Sequence, residues 1–291
     1  MITDSDVAAY RRDGYIVVPD VLDAAEIASL QAVIDGLIAR AATVDAHDDI
    51  YDLEPSHTRA QPRVRRIKTP HKIDPRFIDL VRHPNVVAIL SRLLGPDLRL
   101  YGSKLNMKAP RYGSPVEWHQ DWAFYPHTND DILAIGVMLD DMELSNGPLL
   151  VVPGSHTGPT HDHHADGVFC GAVDPAAITA EIDRAVPLTG RTGSMSFHHV
   201  RLLHGSARNT SNRRRQLLLY EVAAADAWPL RGVSDLAAFD AQMIAGQTNV
   251  TPRIVPAPVR MPLPAAVHQG SIYENQIGTG RRYFAMADAT S

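Results

Sequence analysis

A single cysteine, Cys170, in 291 residues leaves no partner for an intramolecular disulfide and no set of thiolates for a zinc cage. Basic residues are not in excess. Lys and Arg number 28 against 33 Asp and Glu, for a net charge of −5, the wrong sign for a chain whose main work is to neutralise nucleic-acid phosphates. Long apolar runs are missing too. The longest clean one, Ile132 to Leu139, falls far short of the ~18 residues that a membrane-spanning helix requires, and Met1-Ile2-Thr3-Asp4 lacks the basic and apolar regions of a secretory signal. A soluble, cytoplasmic protein with neither nucleic-acid nor membrane partners is expected. One residue type is plentiful: there are fourteen histidines. A metal held by this chain would therefore be held by imidazole and carboxylate.

The first hundred residues read mainly as helices with one early strand. Gly14 ends a short helix, and Tyr15-Ile16-Val17-Val18 is a β-branched run closed by Pro19-Asp20. Asp23 with Glu26 forms a capping box, behind which Ile27, Leu30, Val33, Ile34, Leu37 and Ile38 recur at helical spacing. His83-Pro84 opens another helix that Gly95 ends, with Val86, Val87, Ile89, Leu90, Leu93 and Leu94 as its core. From Leu98 the texture changes to strands: Leu98 to Tyr101, Ile132 to Leu139, Leu149 to Val152, Gly193 to Phe197 and Gln216 to Val222. Short strands after a helical start predict a mostly β fold, an antiparallel sandwich or barrel with helices flanking it. Residues 156–190 form a long connection, with a helix expected near Pro175 to Ala185. Pro252, Pro256, Pro258, Pro262 and Pro264 suit an extended arm near the C-terminus.

The chemistry centres on Trp118-His119-Gln120-Asp121. On a strand, residues i and i+2 share a face, so His119 and Asp121 stand side by side as half of a metal site. A histidine from a facing strand would complete a two-histidine, one-carboxylate set, which suits non-haem Fe(II) by leaving coordination positions open. His204, in Leu202-Leu203-His204-Gly205-Ser206, is the candidate. Beyond it, Arg213 and Arg215 share one face of the next strand and Arg214 takes the other. An arginine turned inward needs an anion, because an unpaired buried guanidinium is costly, and a dicarboxylate would fit its planar fork. A solvated charged edge is the alternative for all three, and it is the reading adopted for Arg214.

Three blocks in this order resemble the phytanoyl-CoA dioxygenase (PhyH) family of Fe(II)- and 2-oxoglutarate-dependent oxygenases. They are Trp118 to Asp121, Asn146-Gly147-Pro148-Leu149-Leu150-Val151-Val152-Pro153-Gly154-Ser155-His156, and His204-Gly205-Ser206 through Arg215. The likeness runs from about Tyr15 to Val222. It implies a double-stranded β-helix, a cupin-like jelly-roll. The whole chain, 1–291, then forms a single oxygenase domain. A helical support region occupies 1–97, the jelly-roll core 98–223 with a lid insertion at 156–190, and a C-terminal arm 224–291, which could cross to a second copy in a homodimer. The resemblance assigns iron to His119, Asp121 and His204, and the distal carboxylate of 2-oxoglutarate to Arg215 with help from Ser206. Arg213 is the fallback if the register slips by two. Lys68 is similar to a cosubstrate-contacting lysine, although a solvated basic face shared with Arg63, Arg65, Arg66 and Lys72 is an equal reading.

The implied reaction consumes O2 and 2-oxoglutarate, releases succinate and CO2, and hydroxylates or otherwise oxidises a small organic substrate such as an acyl, amino-acid or natural-product compound. Asp121 favours this over halogenation, since halogenating relatives replace that carboxylate with a small residue. A catalytically silent jelly-roll that binds a ligand is the alternative. One departure stands out: several relatives carry a tryptophan on the strand that here holds Gly136, where this chain has only small or aliphatic residues. Several histidines are read as bystanders. His161, His163 and His164 belong to a solvated loop, His156 to a turn, and His198 and His199 to packing. Trp122, Phe124 and Tyr125 are left as core or wall residues.

Overall fold

A computed structural model describes residues 2–285. Met1 and residues 286–291, the ends of the expected support region and C-terminal arm, lie outside the described residues. Thr3 caps α1 (Asp4–Asp13), which Gly14 ends in a left-handed conformation at φ 81° before β1 (Tyr15–Val18). Asp23 caps α2 (Ala24–Arg40): its carboxylate accepts from the Ala25 and Glu26 amides, and Glu26 accepts from the Asp23 amide. Ile27, Leu30, Ile34 and Leu37 form the buried face, while Val33 and Ile38 are half-buried. Then come β2 (Tyr51–Leu53), β3 (Val64–Lys68), α3 (Pro75–Val81) and α4 (Pro84–Leu94), in which Val86, Ile89 and Leu90 are buried.

Two antiparallel sheets follow. The larger runs in the order β1-β11-β6-β13-β4-β3-β2, built with β4 (Leu98–Lys108), β6 (Ile132–Met138), β11 (Met195–His199) and β13 (Arg215–Ala224). The smaller runs β10-β7-β12-β5, from β5 (Val116–His119), β7 (Leu149–Val151), β10 (Val186–Leu188) and β12 (His204–Ser206). A hairpin of β8 (His164–Ala165) and β9 (Val168–Phe169) stands apart. The chain forms the expected mostly β jelly-roll with flanking helices.

The first hundred residues hold more strand than expected. β2 and β3 extend the larger sheet, with Arg66, Ile67 and Lys68 paired to Asn106, Leu105 and Lys104 of β4. The charged run Val64 to Lys68 is stabilised as a strand by a partner some forty residues away, which its own composition does not reveal. In the 156–190 connection the expected helix is reduced to α5 (Thr179–Ile182) after one 3-10 turn. The C-terminal segment contains β14 (Met243–Ala245) and two short helices, α6 (Leu236–Asp240) and α7 (Ile272–Asn275). Its proline-rich stretch lies back on its own chain: Trp122 Nε1 donates to the Pro258 carbonyl (2.8 Å) and the Phe169 amide to the Pro264 carbonyl (3.0 Å). Among the described residues no helix is long and apolar enough to cross a membrane.

Alternation along the strands separates the core from the site. Leu105 and Met107 of β4, Phe197 of β11, and Leu218, Tyr220 and Val222 of β13 turn outward to the helices and form the main core. Their neighbours Lys104, Asn106, Lys108, His198, Arg215, Leu217 and Leu219 turn inward to a pocket between the sheets. Leu105 is fully buried between β3 and β13. Leu105→Ala is expected to cost about 2–5 kcal/mol, read as a lowered urea midpoint; a loss below about 1 kcal/mol would place Leu105 outside the core.

Candidate metal centre

β5 and β12 pair with His119 opposite His204, which brings the two imidazole rings to a centroid separation of 4.0 Å. Asp121 follows in a 3-10 turn, its Oδ1 3.7 Å from His119 Nε2. One ligand atom from each of His119, Asp121 and His204 lies within 4.8 Å of the other two, and all three residues are buried. The histidines are already set for coordination. His119 Nδ1 is 2.8 Å from the Glu117 carbonyl and His204 Nδ1 is 2.8 Å from the Leu202 carbonyl. A carbonyl only accepts, so each Nδ1 carries the proton and each Nε2 presents its lone pair. Burial and the neighbouring His119 push His204 well below the ordinary histidine range, keeping it neutral. Burial alone would raise the Asp121 carboxyl. The Lys104 ammonium outweighs that and holds it well below the usual carboxylate range. Two neutral imidazoles and one carboxylate fit a divalent ion with borderline preferences and leave room for further ligands.

Arg215 and Ser206 line the same pocket. Arg215 is 2% exposed, and its guanidinium donates to the Gly147 carbonyl (Nε at 3.2 Å). That carbonyl is aimed by the Asn146-Gly147-Pro148 turn. Gly147 has φ +71°, and a Cβ there would stand 2.4 Å from the Ala207 carbonyl oxygen, so only glycine fits. Arg213, by contrast, is exposed and paired with Glu143, outside the pocket. Arg214 is also on the surface, paired with Asp35 and Asp140.

Lys68 does not join the site. Its ammonium lies 2.9 Å from Asp52 Oδ1 and donates to the Asp48 carbonyl, beyond the pocket wall. The pocket lysines are Lys104 and Lys108 on β4. Lys108 is buried, donating to Ser206 Oγ (2.9 Å) and to the Ser206 and Ala207 carbonyls. Burial and the adjacent Arg215 push it well below the ordinary lysine range. Lys104 pairs with Glu221 at 2.8 Å. Both belonged to an unremarkable alternating run in the sequence; their period-2 spacing was the available signal, and only the facing sheet gives it meaning.

Several histidines have roles other than those expected. His163 is buried, not solvated: its Nε2 accepts from the Gln120 amide (2.8 Å), and burial lowers it to about 3. Gln120 in turn donates to the Pro159 and Arg201 carbonyls and accepts from the His161 amide. This brace fixes the backbone between His119 and Asp121 from behind. Among the described residues the pocket wall takes nothing from the expected lid at 156–190; it takes Ile272 and Tyr273 from the C-terminal segment instead. His198 faces the pocket with Nε2 4.0 Å from Asp121 Oδ2 and with Nδ1 unpartnered. Phe124 packs edge-on against the His119 ring. At Gly136, a Cβ would meet Ser196 Oγ at 2.5 Å and Leu217 at 3.2 Å, so the strand leaves no room for a side chain at that position.

Comparison with known proteins agrees with this geometry. The sequence profile of the phytanoyl-CoA dioxygenase (PhyH) family matches residues 10–217. A Stutzerimonas stutzeri protein named as a probable alpha-ketoglutarate-dependent hypophosphite dioxygenase is 37% identical over 279 residues, which are 94% of this chain and 97% of its own. The L-proline trans-4-hydroxylase of Streptomyces griseoviridis is 30% identical over 72% of this chain and 82% of its own. The crystal structure of EctD from S. alaskensis with 2-oxoglutarate and 5-hydroxyectoine superposes with a TM-score of 0.67 at 26% identity, covering 90% of this chain and 89% of that one. With a profile that spans most of the fold and a relative that matches nearly end to end, the chain belongs to the phytanoyl-CoA dioxygenase family and is an iron- and 2-oxoglutarate-dependent dioxygenase.

Proposed function

We propose that His119 Nε2, His204 Nε2 and the Asp121 carboxylate hold the iron, and that Arg215 and Lys108 bind the distal carboxylate of 2-oxoglutarate, with Ser206 as the hydroxyl that Lys108 positions. The iron, when bound, supplies the oxidation of 2-oxoglutarate and substrate by O2. The observation that carries this reading is the pair of buried cations. Among the described residues, neither Lys108 nor Arg215 forms an ion pair; their partners are a hydroxyl and carbonyls. Two buried positive groups side by side are costly without an anion, and a carboxylate offered to both relieves the cost.

The chain's residues divide the remaining work by position. Val116, Leu149, Leu217, Leu219 and Ile272 make the apolar part of the pocket lining and exclude water. Tyr125 packs against Tyr101 and stands beside Asp121, keeping its carboxylate aimed. On the Asp121 side the lining is polar, with His198 and with Lys104, which is paired to Glu221. This suits a compact polar substrate better than a long acyl chain. The relative that matches almost end to end is named for hypophosphite, which makes a small oxyanion the first substrate to test.

Anaerobic addition of Fe(II) and 2-oxoglutarate is expected to produce a visible charge-transfer band that is lost in His119→Ala and His204→Ala while circular dichroism is retained. A wild-type protein with neither the band nor succinate formation sinks the reading. Arg215→Ala and Lys108→Ala are each expected to weaken 2-oxoglutarate binding by about 1.5–3 kcal/mol, roughly ten- to hundredfold, and Arg213→Ala to leave it unchanged; the reverse pattern would move the role to Arg213. In a substrate panel of hypophosphite, L-proline and ectoine, hypophosphite is expected to stimulate succinate release most, and Lys104→Met to abolish that stimulation. Stimulation by ectoine or proline alone would discard the oxyanion.

A further inference from the structure

The pocket is closed by a segment that lies beyond residues 10–217, the part matched by the family profile. Around α7, Ser271 and Glu274 cap each other, and Ile272 and Tyr273 point into the pocket. Each flank of the segment is tied to a different sheet. On one side, Glu274 pairs with Arg65 of β3, whose guanidinium also lies 4.3 Å above the Tyr273 ring. On the other, buried Gln276 accepts from the Glu117 amide of β5 (2.9 Å), two residues before His119, and donates to the Gly171 carbonyl (2.9 Å). The segment is a strap across the gap between the larger and smaller sheets.

Tyr273 is 6% exposed, and its hydroxyl is buried with no hydrogen-bond partner. A buried hydroxyl left unsatisfied is destabilising, and native folds rarely keep one without a reason. Arg215 lines the same pocket, close enough for its charge to act on the phenol. Lys108 and Ser206 line the same cavity. An unused donor beside two buried cations lacks one thing, an acceptor bearing negative charge. Burial pushes the phenol up to about 12, so it keeps its proton to donate.

We infer that Tyr273 is a cosubstrate-binding residue supplied by the C-terminal strap: its hydroxyl donates to the distal carboxylate of 2-oxoglutarate beside Arg215, and this bond holds the strap closed. The inference rests on the cosubstrate position proposed above. It couples two events, since binding the distal carboxylate satisfies the hydroxyl and thereby adds a tie between strap and barrel. Loss of the strap's outer tie through Glu274→Gln should in turn weaken the ligand.

The test uses the full-length protein loaded with redox-inert Mn(II) and calorimetric titration of two ligands. 2-Oxoglutarate offers both a chelating head and a distal carboxylate; oxalate offers chelating oxygens alone. Tyr273→Phe keeps the ring under Arg65 and removes only the hydroxyl. It is expected to weaken 2-oxoglutarate about tenfold and leave oxalate unchanged. Glu274→Gln is expected to weaken 2-oxoglutarate with the hydroxyl in place. In wild type, 2-oxoglutarate should slow amide hydrogen exchange across residues 271–278, and oxalate should not. Equal weakening of both ligands by Tyr273→Phe would mean a packing role and overturn the inference, as would unchanged 2-oxoglutarate affinity or absence of ligand-specific protection in the strap. Failure of wild type to bind 2-oxoglutarate while binding oxalate would sink the cosubstrate position itself.

Discussion

Along β4 and β13, paired residue by residue from Arg215 opposite Lys108 to Ala224 opposite Leu98 with one register shift, an extended backbone must send successive side chains to opposite faces. Everything in the interior follows from that constraint. Leu105 and Leu218 go to the helices, and so Lys104, Lys108, Arg215 and Leu219 have to go to the pocket. A shift of one residue in register would exchange the two sets, pressing ammonium groups against α2 and α4 and emptying the site of cations. The same alternation on β11 gives Phe197 to the core and His198 to the pocket.

The electrostatics of the pocket are asymmetric as a consequence. On the Asp121 side, Lys104 is compensated by Glu221 and by Asp121 itself, which keeps the ammonium charged despite its burial. On the Arg215 side, Lys108 and Arg215 face each other with no carboxylate in ion-pair range among the described residues, and burial lowers both, Arg215 to about 10. A fold tolerates such an arrangement at a functional site when a ligand completes it. The strap belongs to this picture because Tyr273 adds an unpartnered donor to the same uncompensated end.

Much of this was legible in the residues, for identifiable reasons. Capping at Asp23, the left-handed end at Gly14 and the proline start at Pro84 are local devices that act within one turn, and the helices begin and end where these devices stand. The candidate ligand set stood out because His119 and Asp121 are two residues apart and because His204 lies in a motif of its own. Lys68 and the histidine-rich loop show the opposite case. The side chain of Lys68 is committed to Asp52, and His163 is drawn inward by the Gln120 amide, through contacts with segments 16 and 43 residues away. No local pattern carries information about such partners.

The sequence by itself determined the boundaries of α1 and α4 and the start of α2, the alternation that divides core from pocket, and the donor types at the candidate metal centre, since each depends on neighbours within a few positions along the chain. Tertiary structure alone decided which of the inward groups meet: that His119 lies opposite His204, that Lys108 rather than Lys68 stands beside Arg215, and that Tyr273 closes the far end of the pocket. Those encounters are set by strand order and by the return of the C-terminal segment over the barrel, where side chains far apart along the chain are forced to share one small buried volume and to satisfy one another's charge and hydrogen bonds.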